Sequence, residues 1–378
     1  MEVYEMNYKL IKRLIQVWFR WQFSILNKVG GRRLLLQSLA AVCASYEKCT
    51  NEYCFYDLLP KVSGEYTSIG IQNSKLPKYA VILQGPIMVK DHFTLETVRL
   101  YKKTFPLASI IVSTWLGENE KEIHEIERAG ATVVQSAIPN ESGVFNINYQ
   151  CISSSVGIKT SIQLGCEYIL KTRTDTRLYR NNIFEMMYTL IKEHPITIDN
   201  CQERIVVLGG NRGKLFQSYN FCDFVTFGNA NDLLEFYDIP IDRRFKNRVD
   251  SERKHRSDMT RKQEAEQMMN PEIMLIESYL QRKGNELNFS IGECWKNVCK
   301  YFISISPRDI CLYWMDKYDL RFRNNYGAYV FWKSDKEELA LSYDWDYFTW
   351  MNIFCGSVEY SGDYENFQLQ ELKNFDEK

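Results

Sequence analysis

The chain has no Cys-x-x-Cys pair, only four histidines, and no apolar run long enough to cross a bilayer. Each shortage removes a class of protein. Eleven cysteines, an odd number without paired spacing, argue against a disulfide framework and for a reducing, cytoplasmic setting with free thiols. His92, His124, His194 and His255 never stand near a cysteine pair at ligand spacing, which argues against zinc. The longest apolar-leaning run, LLLQSLAAVCA at 34–44, is broken by Gln37 and is far shorter than the roughly 18–20 residues of a membrane span. As a secretory leader it fits poorly, because the stretch ahead of it is too long and carries Trp18, Phe19, Trp21 and Phe23. Net charge is −1, so no overall field favours nucleic acid, and none is expected as a partner. A glycine-rich phosphate loop is also missing: the first strand-like run, AVIL, is followed by Gln84-Gly85-Pro86.

What is present suits two or three structural units in 378 residues, with an aromatic content of 14% that is high for a soluble protein. Residues 7–43 read as one or two amphipathic helices divided at Gly30-Gly31, with Leu10, Leu14, Ile15, Trp18, Phe19, Ile25 and Leu26 at helical spacing. Through residue 48 there are eight basic residues against three acidic ones. Such a helix can lie on an anionic membrane surface or dock on a core with its basic face solvated. A polar stretch at 61–78 reads as a linker.

From there strands 79–83, 109–115, 131–137 and 167–175 alternate with helices near 95–104, 118–129 and 148–164. Gly130 and Gly165 stop the second and third of these helices. That rhythm predicts an α/β fold with a mostly parallel, Rossmann-type sheet flanked by helices. Further strands are expected at 204–210 and 223–228, and a helix at 271–283 begins with Pro271. Residues 242–266, nearly devoid of apolar side chains, read as a solvated helix or loop, and the tail is aromatic without a period. The expected organisation is an N-terminal helical extension (1–75), a ligand-binding core (76–240) and an acceptor-side and C-terminal region (241–378).

Ligands of open α/β sheets collect beyond the carboxyl ends of the strands. Those ends are Gln84-Gly85-Pro86, Thr114-Trp115, Ser136 and Lys171 to Arg177. Period-two alternation places Lys171, Arg173 and Asp175 on one face of an emerging strand. A carboxylate flanked by cations suits a pyrophosphate: Asp175 can hold a bridging divalent ion while Arg173 or Arg177 pairs with the phosphate oxygens. The plainer alternative is that Asp175 simply pairs with Arg173 or Arg177 at a surface loop.

The ordered set VILQGPI, FPLASIIVSTW, FNINYQCISSSVGI, YILKTRTDTR, FCDFVTFGN and PEIMLIESYL, over roughly residues 78–285, resembles the WavE lipopolysaccharide-synthesis family. That family is taken to consist of GT-A-type glycosyltransferases. The resemblance implies transfer from a nucleotide-sugar donor to an oligosaccharide or lipid-linked saccharide acceptor in bacterial lipopolysaccharide or capsule synthesis. It places TDTR where GT-A enzymes usually carry Asp-x-Asp, with Arg177 at the third position, so a divalent ion (Mn or Mg) at Asp175 is an open expectation. Gln84, Gly85, Pro86, Thr114, Asn148 and Gln150 are expected to line the donor pocket with Lys171, Arg173, Asp175 and Arg177. Asn148 also suits a plain helix-capping role, and Gln84 a turn residue bonded to its own backbone.

The expected general base is Glu272, in the first turn of its helix, or Asp223, with Glu277 third. Carboxylates favour helix starts without catalytic duty, so Glu272 has that reading too. Two competing functions are a sugar nucleotidyltransferase, which would normally need the glycine-rich loop absent here, and a non-catalytic carbohydrate- or membrane-binding scaffold.

Overall fold

The computed structural model describes residues 2–50, 76–196, 200–209, 214–255, 259–315 and 344–369. The linker expectation at 61–78 falls almost entirely outside them. The chain divides into two compact units, Met1–Leu59 and Pro60–Lys378.

The first unit contains α1 (Glu2–Cys49), one long helix in which Gly31 alone leaves helical geometry, at φ +57°. A left-handed residue of this kind is open to glycine without steric penalty, so the expected division at Gly30-Gly31 becomes a kink. Ile11, Leu14, Trp18, Trp21, Ile25 and Val29 follow at three- and four-residue spacing and are all exposed. No described helix is long and apolar enough to cross a membrane.

The second unit is built, among the described residues, on a sheet of seven strands: β1 (Tyr79–Gln84), β2 (Ser109–Trp115), β3 (Thr132–Ser136), β4 (Tyr168–Arg173), β6 (Ile205–Leu208), β7 (Cys222–Asn229) and β8 (Phe302–Ile305). Their order is β3-β2-β1-β4-β7-β6-β8. Of these, β7 alone runs against its neighbours β4 and β6; every other pairing in the sheet is parallel. The α/β, mostly parallel expectation is met. Strands covered on both faces must be apolar throughout, and β1 is buried along its whole length.

Helices α2 (Phe93–Thr104), α3 (Glu120–Arg128), α4 (Ile147–Gln163) and α5 (Ile183–Glu193) connect or flank the strands. The α4 helix lies close on the sheet: a Cβ added at Gly157 would come within 2.8 Å of Ile82 Cγ2. Beyond β7 come α6 (Ala230–Tyr237), α7 (Arg248–His255), α8 (Arg261–Glu266), α9 (Pro271–Arg282), α10 (Ile291–Tyr301) and α11 (Tyr347–Phe354).

Three local expectations change. The strand anticipated at 167–175 ends at Arg173, because Thr176 Oγ1 accepts from Arg173 N at 3.2 Å and turns the chain into β5 (Thr176–Leu178). That short strand pairs with β9 (Leu312–Trp314) in a separate antiparallel ribbon. Residues 242–266 are not simply solvated: Asp242, Ser251 and Glu264 are buried. Asp242 takes hydrogen bonds from Val144 N at 2.9 Å and from Arg244, which pins the segment to the start of α4.

Most of the first aromatic stretch of the tail lies outside the described residues, but the tail's later part contributes to the core. Trp345 and Trp350 are fully buried, and the Trp350 indole donates to Phe302 O at 2.8 Å. The carbonyl of Trp345 lies 1.6 Å from where a Cβ of Gly209 would stand, so only glycine fits at the end of β6.

Candidate functional site at the carboxyl edge of the sheet

The parallel register brings three strand ends together. Gln84 lies opposite Ser113 of β2 on one side and Arg173 of β4 on the other. The turn after β1 is stitched to both neighbours: Gly85 N donates to Ser113 O at 3.0 Å, and Thr174 Oγ1 donates to Pro86 O at 2.6 Å. Gly85 has φ +122°, and a Cβ there would sit 3.0 Å from Thr174 Oγ1. The glycine thus serves a tight turn and close packing against β4 rather than a phosphate loop.

At the exit of β4, Arg173 and Asp175 form a two-pronged pair: Nε donates to Oδ1 at 2.8 Å and Nη2 to Oδ2 at 2.7 Å. The indole of Trp314, on β9, donates a third hydrogen bond to Oδ2 at 2.9 Å. The guanidinium stands 4.4 Å from the centre of the Phe224 ring and 6.0 Å from that of Trp314. Burial alone would raise the Asp175 carboxyl, but the Arg173 charge and the bonds from Arg173 and Trp314 outweigh it and hold the group below its ordinary range.

Lys171 is fully buried one pleat earlier and donates to the backbone oxygen of Asp223 at 2.8 Å. Burial pushes its ammonium down to about 8, against the opposing pull of Asp223. Asp223, at the start of β7, acts electrostatically on both Lys171 and Arg173, and its Oδ1 is buried without a hydrogen-bond partner among the described residues. Lys171, Arg173, Asp175 and Asp223 therefore make one cluster.

Other expected site residues stand apart from it. Arg177 is completely buried on β5, where its donors go to Thr97 Oγ1, Tyr179 Oη and Phe93 O, and its guanidinium lies 4.3 Å from the Phe93 ring centre. A donor ligand has no access to it. Thr114 donates to Glu118 Oε1 at 3.1 Å, which also accepts from Ile87 N, so it ties two strand exits together. Asn148 grips the loop before α7: its amide donates to Glu141 O and Asp242 O and accepts from Asp242 N. No helix-capping bond comes from it.

Gln150, in the first turn of α4, keeps a buried Nε2 without a partner among the described residues. Glu272 is buried in the first turn of α9, behind the Asn270 cap. Glu277, on the same helix, is fully enclosed with neither oxygen bonded to a described residue, and burial pushes its carboxyl up to about 9. Phe224 and Trp314, which frame Arg173, escaped the reading of the sequence; the only signal for Trp314 was the density of aromatics in the tail.

The donor set does not fit a divalent ion. Such an ion takes about six or more oxygen ligands, whereas both Asp175 oxygens already accept from N–H groups and a guanidinium lies alongside. Among the described residues no three His, Cys, Asp or Glu side chains converge as a metal-binding group. A groove of about 530 Å³ bordered by Arg204, Trp295, Lys296, Lys300, Phe354 and Tyr360 lies elsewhere. Arg204 precedes β6 and Lys300 precedes β8, so it belongs to the amino ends of those strands.

Comparison with solved structures gives distant likenesses. A Bacillus anthracis protein described as a glucose-1-phosphate thymidylyltransferase, in complex with a sucrose, shares 8% identity and a TM-score of 0.33 over 61% of this chain and 87% of its own. Mannose-1-phosphate geranyltransferase from Thermus thermophilus shares 11% identity, TM-score 0.29, over 61% and 74%. Core-mannan synthase A from Aspergillus fumigatus, in a Mn/GDP form, shares 7% identity, TM-score 0.29, over 66% and 79%. No curated protein matches the chain. The family model for WavE lipopolysaccharide synthesis, in contrast, matches residues 79–354, which hold the whole sheet and the edge cluster, and the chain belongs to that family.

Proposed function

We propose that this protein is a GT-A-type glycosyltransferase that moves a sugar from a nucleotide-sugar donor to a saccharide acceptor in bacterial lipopolysaccharide or capsule synthesis. Family membership supports the process, and the edge cluster supports the chemistry. In the reaction the bond between the anomeric carbon and the donor phosphate oxygen breaks, and its electrons remain on the phosphate. A fixed cation there stabilises the transition state more than the ground state. The Arg173 guanidinium, framed at the strand exit, is the observation that carries this reading.

The acceptor hydroxyl attacks the anomeric carbon and its proton goes to a carboxylate. Asp223 takes this role before Glu272, because its Oδ1 is unpartnered among the described residues and it sits within the cluster. Gln84, Gly85 and Pro86 border the nucleoside, with Gln150 Nε2 offering a donor. The acceptor is an oligosaccharide, free or lipid-linked, and the enzyme works in the cytoplasm at the inner membrane. There the Trp18 and Trp21 stripe of α1 meets anionic lipid.

The test is a thermal-shift screen of the whole protein against sugar nucleotides, followed by transfer assays on lipopolysaccharide fragments. At least one donor should raise Tm by mass action. Asp223→Asn should then lower kcat at least about 100-fold with little change in donor binding. A flat screen, with and without Mn²⁺, would refute the proposal. Flotation with anionic vesicles should weaken in the Trp18→Glu, Trp21→Glu double variant; unchanged flotation would remove the membrane contact.

A further inference from the structure

We infer that the phosphate end of the donor is held by the Arg173 guanidinium in place of a divalent ion, with Asp175 as a positioning residue for that arginine. The inference rests on the glycosyltransferase reading and specifies the electrophile of the same site.

A guanidinium carries five N–H donors in a rigid fork. Two of them go to Asp175, and the other three have no partner among the described residues. The side chain remains 30% exposed, so the guanidinium is not sealed from the cleft. Its plane is fixed from three sides: by the Asp175 fork, by the Phe224 ring at 4.4 Å, and by Trp314, whose indole anchors Asp175 in turn. An arginine held in this way presents a preformed pair of donors at the spacing of two phosphate oxygens.

Asp175 is suited to that positioning and unsuited to a metal. Its oxygens accept three hydrogen bonds from Arg173 and Trp314, and a dication in their place would sit against the Arg173 charge. As the anomeric C–O bond breaks and the C–O bond to the acceptor forms, the new phosphate charge is met by the N–H groups that Asp175 does not use. The acceptor proton leaves to the carboxylate base, so atoms and charge balance without a metal.

Inorganic pyrophosphate, titrated calorimetrically into the full-length protein, tests the idea. With excess EDTA the wild type should bind it with a Kd within about twofold of the value in Mn²⁺. Arg173→Lys, which keeps the charge but loses the fork, should weaken binding at least tenfold in both buffers. Trp314→Phe, which removes only the indole donor, should weaken it a fewfold and remain indifferent to EDTA, and it serves if the arginine variant does not fold. Binding that vanishes in EDTA and returns with Mn²⁺ would overturn the inference and leave the glycosyltransferase reading standing. If neither pyrophosphate nor any sugar nucleotide binds in either buffer, both fall.

Discussion

At the carboxyl edge of the sheet, Arg173 and Asp175 pair with one another, and Lys171 is anchored on the backbone of Asp223. In the interior of α9, Glu277 is fully shielded from water and has no hydrogen-bond donor among the described residues. Between them stands Arg177, a buried cation satisfied by neutral oxygens and aromatic faces alone. The comparison teaches that burial does not decide how a charge behaves here. The partners do. Where they are supplied, ionisation persists and can serve chemistry; where they are withheld, the group stays neutral.

The comparison can be broken in four places. Arg177→Ala should have the largest effect, a loss of about 4 kcal/mol in denaturant unfolding, since it removes the hydrogen bonds to Phe93 O, Thr97 Oγ1 and Tyr179 Oη and opens a cavity. A loss below about 1 kcal/mol would show that the site collapses or admits water.

Glu277→Gln should come next, with the opposite sign. The folded-state pKa of about 9 lies above the unfolded value of 4.5. The native state therefore holds a proton that the unfolded state releases, and wild-type stability falls as pH rises from 4.5 to 9. By pH 7 the accumulated penalty is roughly 3 kcal/mol. The glutamine variant should be more stable than wild type at pH 7 and show a flatter profile between about pH 5 and 8. Parallel profiles would mean that Glu277 has a partner in solution.

Asp175→Ala should cost about 2 kcal/mol, less than a fully buried pair because both side chains are partly exposed. Lys171→Met should alter stability at pH 7 by less than about 1 kcal/mol, since the lost bond to Asp223 O and the relieved burial of an ammonium offset each other. Its signature is the pH profile. The native ammonium titrates near 8 and the unfolded one near 10.5, so wild-type stability gains as pH climbs between them, and the methionine variant should lack that gain.

The alternation of strands and helices from Tyr79 to Arg173 was legible because each element announces itself locally, by an apolar run or by a glycine closing a helix. The edge that those strand ends share was legible for the same reason: in a parallel sheet, chain direction alone sets which ends lie together. The strands β8 and β9 were not, since four and three residues carry no period and exist only through pairing with β6 and β5. Asn148 illustrates the same limit at one residue. Its position suggested a cap or a ligand contact, yet its partners Glu141 and Asp242 come from outside its helix, Asp242 from 94 residues along the chain.

By itself the sequence determined the α/β class and the edge of the sheet where Lys171, Arg173 and Asp175 gather. These follow from side-chain type and local period. Which of the charges pair, which are enclosed and which face outward was decided only by tertiary structure. A hydrogen bond or a ring contact requires two groups at a set distance, and Arg173 receives its bracing from Phe224 and Trp314, which the chain brings back from far along its length.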